Sequence, residues 1–196
     1  MSLLETKTLP FAAIGPLVAW PGAFTPGEID AIVAYGDSLA PMKAEIAERN
    51  DNVDHLRITR VAWIEKRAEI AWLYEKLEAM VMQINAQCYH YDLYGLRESF
   101  QYTVYEGAEG GHYGWHVDMG EPRYEPRKIS LSLQLSEASD YEGGDLVLEA
   151  GKGPLRASKA RGTLIAFPSY VLHRVVPVTA GIRKSLVIWV AGPEFR

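Results

Sequence analysis

Five histidines, His55, His90, His112, His116 and His173, are available for metal or acid–base chemistry, and two of them share the decapeptide GHYGWHVDMG at residues 111–120. The four-residue spacing of His112 and His116 would converge on an ion only on a helix. Gly110, Gly111 and Gly114 disfavour a helix there, and no glutamate follows His112 as a zinc-protease motif requires. In an extended chain, side chains two residues apart share a face, so His116 and Asp118 can reach one ion. A third ligand must come from elsewhere, and His173, in the run VLHRVV, is the remaining histidine in a predicted strand of the second half. Two histidines and a carboxylate on one side of an ion leave three positions open, the arrangement of non-haem Fe(II) oxygenases. Taken alone, the His-x-Asp pair is a weak signal, more often an incidental pair of surface polar residues.

Arg183 adds a second kind of chemistry. The segment HRVVPVTAGIR carries turn signals from Pro177 to Gly181. A hairpin centred near Val178 would set His173 and Arg183 opposite each other on neighbouring strands, with Lys184 on the other face. A planar guanidinium pairs bidentately with carboxylate, which suits Arg183 to the far end of a dicarboxylate cosubstrate. Without the histidines and aspartate beside it, the same arginine reads as a solvated hairpin charge.

The elements that must position these residues follow from periodicity. Thr25-Pro26-Gly27-Glu28 forms a capping box with proline at the first helical position, and Ile29, Ile32, Val33 and Leu39 lie on one side of the helix it starts. A longer helix is expected over RAEIAWLYEKLEAMVMQINAQC, whose Ile70, Leu73, Tyr74, Leu77, Met80, Val81, Ile84 and Cys88 recur at core-facing spacing. From about Phe100 the period becomes two. FQYTVY, ISLSLQL, DLVLE, TLIAF, VLHRVV and SLVIWV are short strands between Gly- and Pro-containing turns. The fold class is therefore mainly β with N-terminal helices (α+β), a sandwich or barrel buttressed by helices. In ISLSLQL the apolar row Ile129, Leu131, Leu133 and Leu135 meets the helices. The polar row Ser130, Ser132 and Gln134 faces either solvent, the commoner situation, or a wet barrel interior.

Composition narrows the classes. A net charge of −5 with scattered basic residues gives no footprint for nucleic acid. Cys88, the single cysteine, excludes an internal disulfide or a multi-thiolate metal site, and reads as a small buried hydrophobe. No run of about 18 apolar residues and no signal-like N-terminus is present, so a soluble, cytoplasmic protein without membrane partners is expected. The 196 residues are expected to form one domain, with 1–95 as helical support and substrate loop and 96–196 as the β core carrying the metal site.

The segments YEGAEGGHYGWHVD, RKISLSLQLS, GGDLVL, RGTLIAFPSYVLHRVVPV and GIRKSLVIWV together resemble the Fe(II)/2-oxoglutarate-dependent dioxygenases, in their prolyl 4-hydroxylase-like branch. The resemblance covers about half the chain, and the step from His173 to Arg183 is typical of that branch. It implies a double-stranded β-helix (jelly-roll or cupin-like) core, with His116, Asp118 and His173 binding Fe(II) and Arg183 binding 2-oxoglutarate. It further implies that Tyr105 hydrogen-bonds the cosubstrate and that Tyr113 and Trp189 line the substrate pocket, although core packing explains the last two equally well. Gln134 stands where relatives have tyrosine, which puts its contact with 2-oxoglutarate in doubt. Upstream, RNDNVDHLRITRVAWIE resembles the loop and strand that close over substrate in prolyl hydroxylases, with Arg57 and Asp54 as substrate contacts; a polar surface loop explains it as well. QINAQCYHYDLYGLRESFQYTVY resembles that group's approach to the first core strand, where His90 would pack or hydrogen-bond. His112 becomes a loop residue near the mouth of the site.

The activity implied is hydroxylation of an aliphatic C–H on an amino-acid side chain, prolyl in a protein or peptide first, with O2 consumed, succinate and CO2 released and ascorbate as a reductant. The rival readings are the same chemistry on a free amino acid, another small molecule or an alkylated nucleobase, and a non-catalytic cupin-like module. Loops around residues 49–60, 119–128 and 150–161 would decide the substrate, and the sequence sets no oligomeric state.

Overall fold

In a computed structural model of the chain, residues 9–44, 56–120, 125–151 and 153–195 are described. A short hairpin, β1 (Ala12–Ile14) and β2 (Leu17–Trp20), precedes helix α1 (Pro26–Ser38). The capping box forms as expected: Glu28 N donates to Thr25 Oγ1, and the Glu28 carboxylate accepts from Thr25 N at 2.8 Å. Burial pushes the Glu28 carboxyl up, but hydrogen bonds from Lys76 and Thr25 outweigh it and leave the carboxyl below its usual range. Ile29 and Ile32 enter the core and Val33 packs against it, whereas Leu39 is exposed just past the helix end.

Strands β3 (Met42–Lys43), β4 (Arg57–Ile58) and β5 (Arg60–Ile64) lead to α2 (Ala71–Ile84). A turn of 3-10 helix (Ala68–Ile70) precedes α2 and a π turn (Asn85–Tyr89) extends it. The predicted stripe from Ile70 to Ile84 is buried against the sheet, and Cys88 sits half-buried in the π turn. His90 closes that turn in the left-handed conformation, exposed, with its backbone N–H on the Asn85 carbonyl. It therefore caps through its backbone and does not pack through its ring.

The rest is strand: β6 (Phe100–Glu106), β7 (His112–His116), β8 (Arg127–Gln134), β9 (Tyr141–Gly143), β10 (Leu146–Glu149), β11 (Pro154–Arg156), β12 (Leu164–Pro168), β13 (His173–Val175) and β14 (Val178–Ala191). Two antiparallel sheets result. The larger runs β1-β2-β12-β8-β14-β6-β5-β3, with β9 pairing the start of β14; the smaller runs β11-β10-β13-β7-β4. This is the expected double-stranded β-helix architecture, and strands β1 to β5 from the N-terminal half extend both sheets.

The outer face of the larger sheet carries Ile129, Leu131, Leu133, Leu186, Ile188 and Val190 into one core with α1 and α2. The inner faces of the two sheets enclose a second cluster around Tyr105, Leu148, Phe167 and Val175. Ser130, Ser132 and Gln134 are buried on that inner side, so their polar row faces the barrel interior and not solvent. No helix among the described residues is long and apolar enough to cross a membrane.

At one contact α1 meets the sheet with no room for a side chain. A Cβ on Gly36 would stand 2.6 Å from the ring of Tyr102, which is fully buried and donates to Asp37 Oδ1 at 2.8 Å. Gly36→Ala should therefore destabilise the fold, because overpacking costs about 1–3 kcal/mol against about 1 kcal/mol gained in helix propensity. The same change at Gly27, with nothing within 4 Å of its Cβ, should not destabilise. Urea unfolding of the two variants checks this; equal midpoints would contradict the contact.

Candidate functional site

His116, Asp118 and His173 come together between the sheets. Their ligand atoms lie within 4.8 Å of one another. His116 ends β7, and Asp118 follows with its N–H on the Ser169 carbonyl at 2.9 Å. His173 opens β13 and is paired in register with His116. Each imidazole donates Nδ1–H to a backbone carbonyl, His116 to Gly114 at 2.8 Å and His173 to Val171 at 2.9 Å. A carbonyl can only accept, so in the neutral form of each ring Nε2 is left with its lone pair toward the centre. The two Nε2 atoms stand 3.5 and 3.4 Å from the two oxygens of Asp118. These gaps are longer than good hydrogen bonds, yet all three groups can meet on one ion.

Electrostatics fits a cation at this point. Burial pushes the Asp118 carboxyl up, but hydrogen bonding and charge from His116 and His173 outweigh it and hold the group well below its usual range. Burial alone would lower His173; Asp118 reverses that and raises it above its ordinary 6.5. An ionised carboxylate shared by two oriented imidazoles is a donor set for Fe(II).

An irregularity in β7 brings a fourth side chain, a third ring, to the centre. Val175 pairs with Tyr113 and His173 with His116, so two steps on β13 oppose three on β7. The extra residue is a β-bulge, which turns both Tyr113 and His116 inward although they are three apart. Their rings stack at 3.6 Å between centroids. His112 is the first residue of β7 and not a loop residue, and it is absent from the cavity wall.

Arg183 reaches the same cavity by a different route from the expected hairpin. β13 pairs with β7 and β10, while β14 pairs with β6 and β8 in the other sheet. The chain crosses between sheets at Val176-Pro177, with Val176 N on the Asp145 carbonyl and Val178 N on the Gly111 carbonyl. His173 and Arg183 thus face each other across the barrel. Lys184 points away, as expected, and binds Asp37 at 2.7 Å.

The Arg183 side chain is 2% exposed. It donates to Ser185 Oγ and to Gln134 Oε1, each at 3.1 Å. Its Nε is buried without an acceptor, and no carboxylate among the described residues pairs with it. A buried guanidinium held only by neutral groups fits a bound carboxylate. Tyr105, in register with Arg183 across the β6–β14 pair, has its ring 5.2 Å from the guanidinium carbon. Gln134 contacts the guanidinium itself, and Gly144 leaves the space, since a Cβ there would stand 3.0 Å from Arg183 Cδ.

Tyr113 and Trp189 both line the cavity, along with Ser132 of the polar row and with Gln101 and Phe167, which the sequence did not single out. Arg57 is a buried residue of β4, behind the cavity wall and not in a loop. It packs on Tyr113 at 4.6 Å and donates to Gln101 Oε1 at 2.8 Å. Asp54 lies outside the described residues.

Similarity to known proteins converges on this core. Residues 100–191 match the 2OG-Fe(II) oxygenase superfamily. Over 88 residues the chain is 39% identical to a PKHD-type hydroxylase of Idiomarina loihiensis, covering 45% of this chain and 40% of that protein. Over 95 residues it is 40% identical to a PKHD-type hydroxylase of a Synechococcus strain, covering 48% and 43%. The chain thus spans about two fifths of the length of these curated relatives. A Pseudomonas putida prolyl-4-hydroxylase superposes with TM-score 0.71 at 19% identity, over 92% of this chain and 94% of the other. A Trichoplax adhaerens prolyl hydroxylase, solved with a hypoxia-inducible-factor peptide fragment, superposes with TM-score 0.73 at 20% identity, over 91% and 84%. From the first residue of β6 to the last of β14, the β core matches the 2OG-Fe(II) oxygenase superfamily, and its fold is prolyl-4-hydroxylase-like.

Proposed function

We propose that this chain is an Fe(II)- and 2-oxoglutarate-dependent hydroxylase of an aliphatic C–H on an amino-acid side chain, with a prolyl residue of a protein or peptide as the favoured target. The observation that carries this reading is the convergence of His116, Asp118 and His173 on one cavity with the buried Arg183, which pairs with no carboxylate among the described residues. The names of the relatives support hydroxylation, and the peptide bound by the Trichoplax protein supports a peptide or protein substrate. When bound, Fe(II) supplies O2 activation and 2-oxoglutarate supplies two electrons, so that R–H, O2 and 2-oxoglutarate become R–OH, succinate and CO2.

The chain's own residues do the positioning. His116, Asp118 and His173 would hold the ion on one side and leave its other side to the cavity. Arg183 would anchor the far carboxylate of 2-oxoglutarate, with Tyr105 beside it. Phe167 packs edge-on against His173 at 4.7 Å between centroids and, with Leu146 and Val175, keeps water from the imidazole. Tyr113 and Trp189 would shape the substrate side. Ascorbate enters only as a reductant that keeps iron in the Fe(II) state.

Aerobic incubation with Fe(II), 2-oxoglutarate, ascorbate and proline-containing peptides should yield succinate together with peptide heavier by one oxygen. His116→Ala should abolish both. A purified protein that neither binds Fe(II) nor consumes 2-oxoglutarate would contradict the reading, and binding of both without succinate would favour the non-catalytic module. Arg183→Gln should raise the KM for 2-oxoglutarate at least about tenfold, and Arg183→Lys should restore it only in part, because a point charge replaces a bidentate fork. An unchanged KM in both variants would remove Arg183 from this role.

Metal affinity should depend on pH with a definite sign. His173 must be neutral to bind a metal ion, and its raised folded-state value means that a proton competes up to above its ordinary 6.5. Mn(II) binding should therefore weaken as pH falls through that value, by up to about tenfold per pH unit for one displaced proton. Titration calorimetry between pH 5.5 and 8 measures it; a flat profile would contradict the proton competition.

A further inference from the structure

The cavity carries a second set of hydrogen-bond donors at the end away from Arg183. Gln101 stands on β6 four residues before Tyr105, about 13 Å along the strand. Its Oε1 accepts from Arg57 Nη2. A guanidinium can only donate, so the amide oxygen is committed to Arg57 and Nε2 is left for the cavity that Gln101 lines. Gln101 faces Val187 across the β6–β14 pair, which makes Trp189 its diagonal neighbour on the same face. Trp189 Nε1 is buried with no acceptor among the described residues.

Behind these donors sits a charge that no carboxylate among the described residues compensates. Arg57 is 9% exposed, its Nε lacks an acceptor, and no carboxylate among the described residues pairs with it. Arg127, which lies 3.8 Å from the Trp189 ring, is by contrast already neutralised by Glu98. This end of the cavity therefore offers donors and positive charge, and Arg183 at the other end is taken by the cosubstrate on the reading proposed above.

Resting on that reading, we infer that Gln101, Trp189 and Arg57 form a carboxylate subsite. The substrate carries a carboxylate close to the C–H that reacts, as a free amino acid or the last residue of a chain does. An internal prolyl residue presents a neutral carbonyl there, which satisfies the donors but leaves the Arg57 charge without a counterpart. A carboxylate on Gln101 Nε2 and Trp189 Nε1 answers both, because the Arg57–Gln101 bond polarises the amide toward it.

Ligand-observed NMR on the full chain loaded with Zn(II) and 2-oxoglutarate tests this with three probe pools. They are free L-amino acids, N-acetyl-L-amino acids as mimics of a chain end, and N-acetyl-L-amino-acid amides as mimics of an internal residue. A member of one of the first two pools should bind, at least tenfold more tightly than its amide counterpart, and the pool it comes from distinguishes a free amino acid from a chain end. Arg57→Gln should weaken that acid at least tenfold and leave the amide and 2-oxoglutarate affinities within twofold. Gln101→Glu keeps an acceptor for Arg57, and so the packing, but should abolish acid binding while the melting temperature is maintained. Equal binding of acid and amide, binding of amides alone, no binding from any pool, or variants that do not discriminate acid from amide would each overturn the subsite. The affinity for 2-oxoglutarate is measured first: its absence contradicts the hydroxylase reading, whereas its presence with acid–amide equivalence contradicts only this inference.

Discussion

A carboxylate almost wholly withdrawn from water needs stabilising partners inside the protein, and Asp118 has beside it two imidazoles that come from different strands of the smaller sheet. Much of the architecture follows from that requirement. β7 and β13 must pair so that His116 and His173 stand side by side, and the Asp118 backbone must be tied to Ser169 so that its side chain turns inward. Each imidazole must also give its Nδ1–H to a carbonyl of its own strand or turn, which fixes the ring and aims Nε2 at the carboxylate. The result is a charge cluster already arranged for an ion, in a wall that otherwise packs as apolar core.

The second buried charge, Arg183, is managed by the opposite means. No acid neutralises it among the described residues; it is held by Ser185, Gln134 and the face of Tyr105. Such a group is costly in an empty cavity and becomes an asset when a dianion arrives. Because β13 and β14 belong to different sheets, the wall that carries His116, Asp118 and His173 faces the wall that carries Arg183. A ligand that touches both must span the barrel, as the proposed pairing of an ion with a dicarboxylate requires.

Local features of this fold were legible in the sequence because they depend on near neighbours. The Thr25–Glu28 capping box, the stripe from Ile70 to Ile84 and the apolar row from Ile129 to Leu135 each record one element meeting one surface. The His116–Asp118 pair was legible for the same reason, since it needs only an extended chain. What escaped depends on the sheets closing on each other. The Pro177–Gly181 turn signals point to a hairpin, but the chain uses them to change sheets, and only the pairing partners of β13 and β14 reveal it. The row Ser130, Ser132 and Gln134 reads as solvent-facing until a second sheet covers it. The bulge opposite His173 leaves no mark beyond Gly114, and the glycine pair at 143–144 reads as a turn although it also clears space for Arg183.

On the proposed function, the ion and 2-oxoglutarate occupy one cavity and bind together, the metal on His116, Asp118 and His173 and the far carboxylate on Arg183. Titration calorimetry of 2-oxoglutarate into the protein, with and without saturating Mn(II) in the absence of O2, tests it most directly. Strong binding is expected that requires the metal and is lost with Asp118→Asn. Equal affinity with and without Mn(II), or none under either condition, would contradict it.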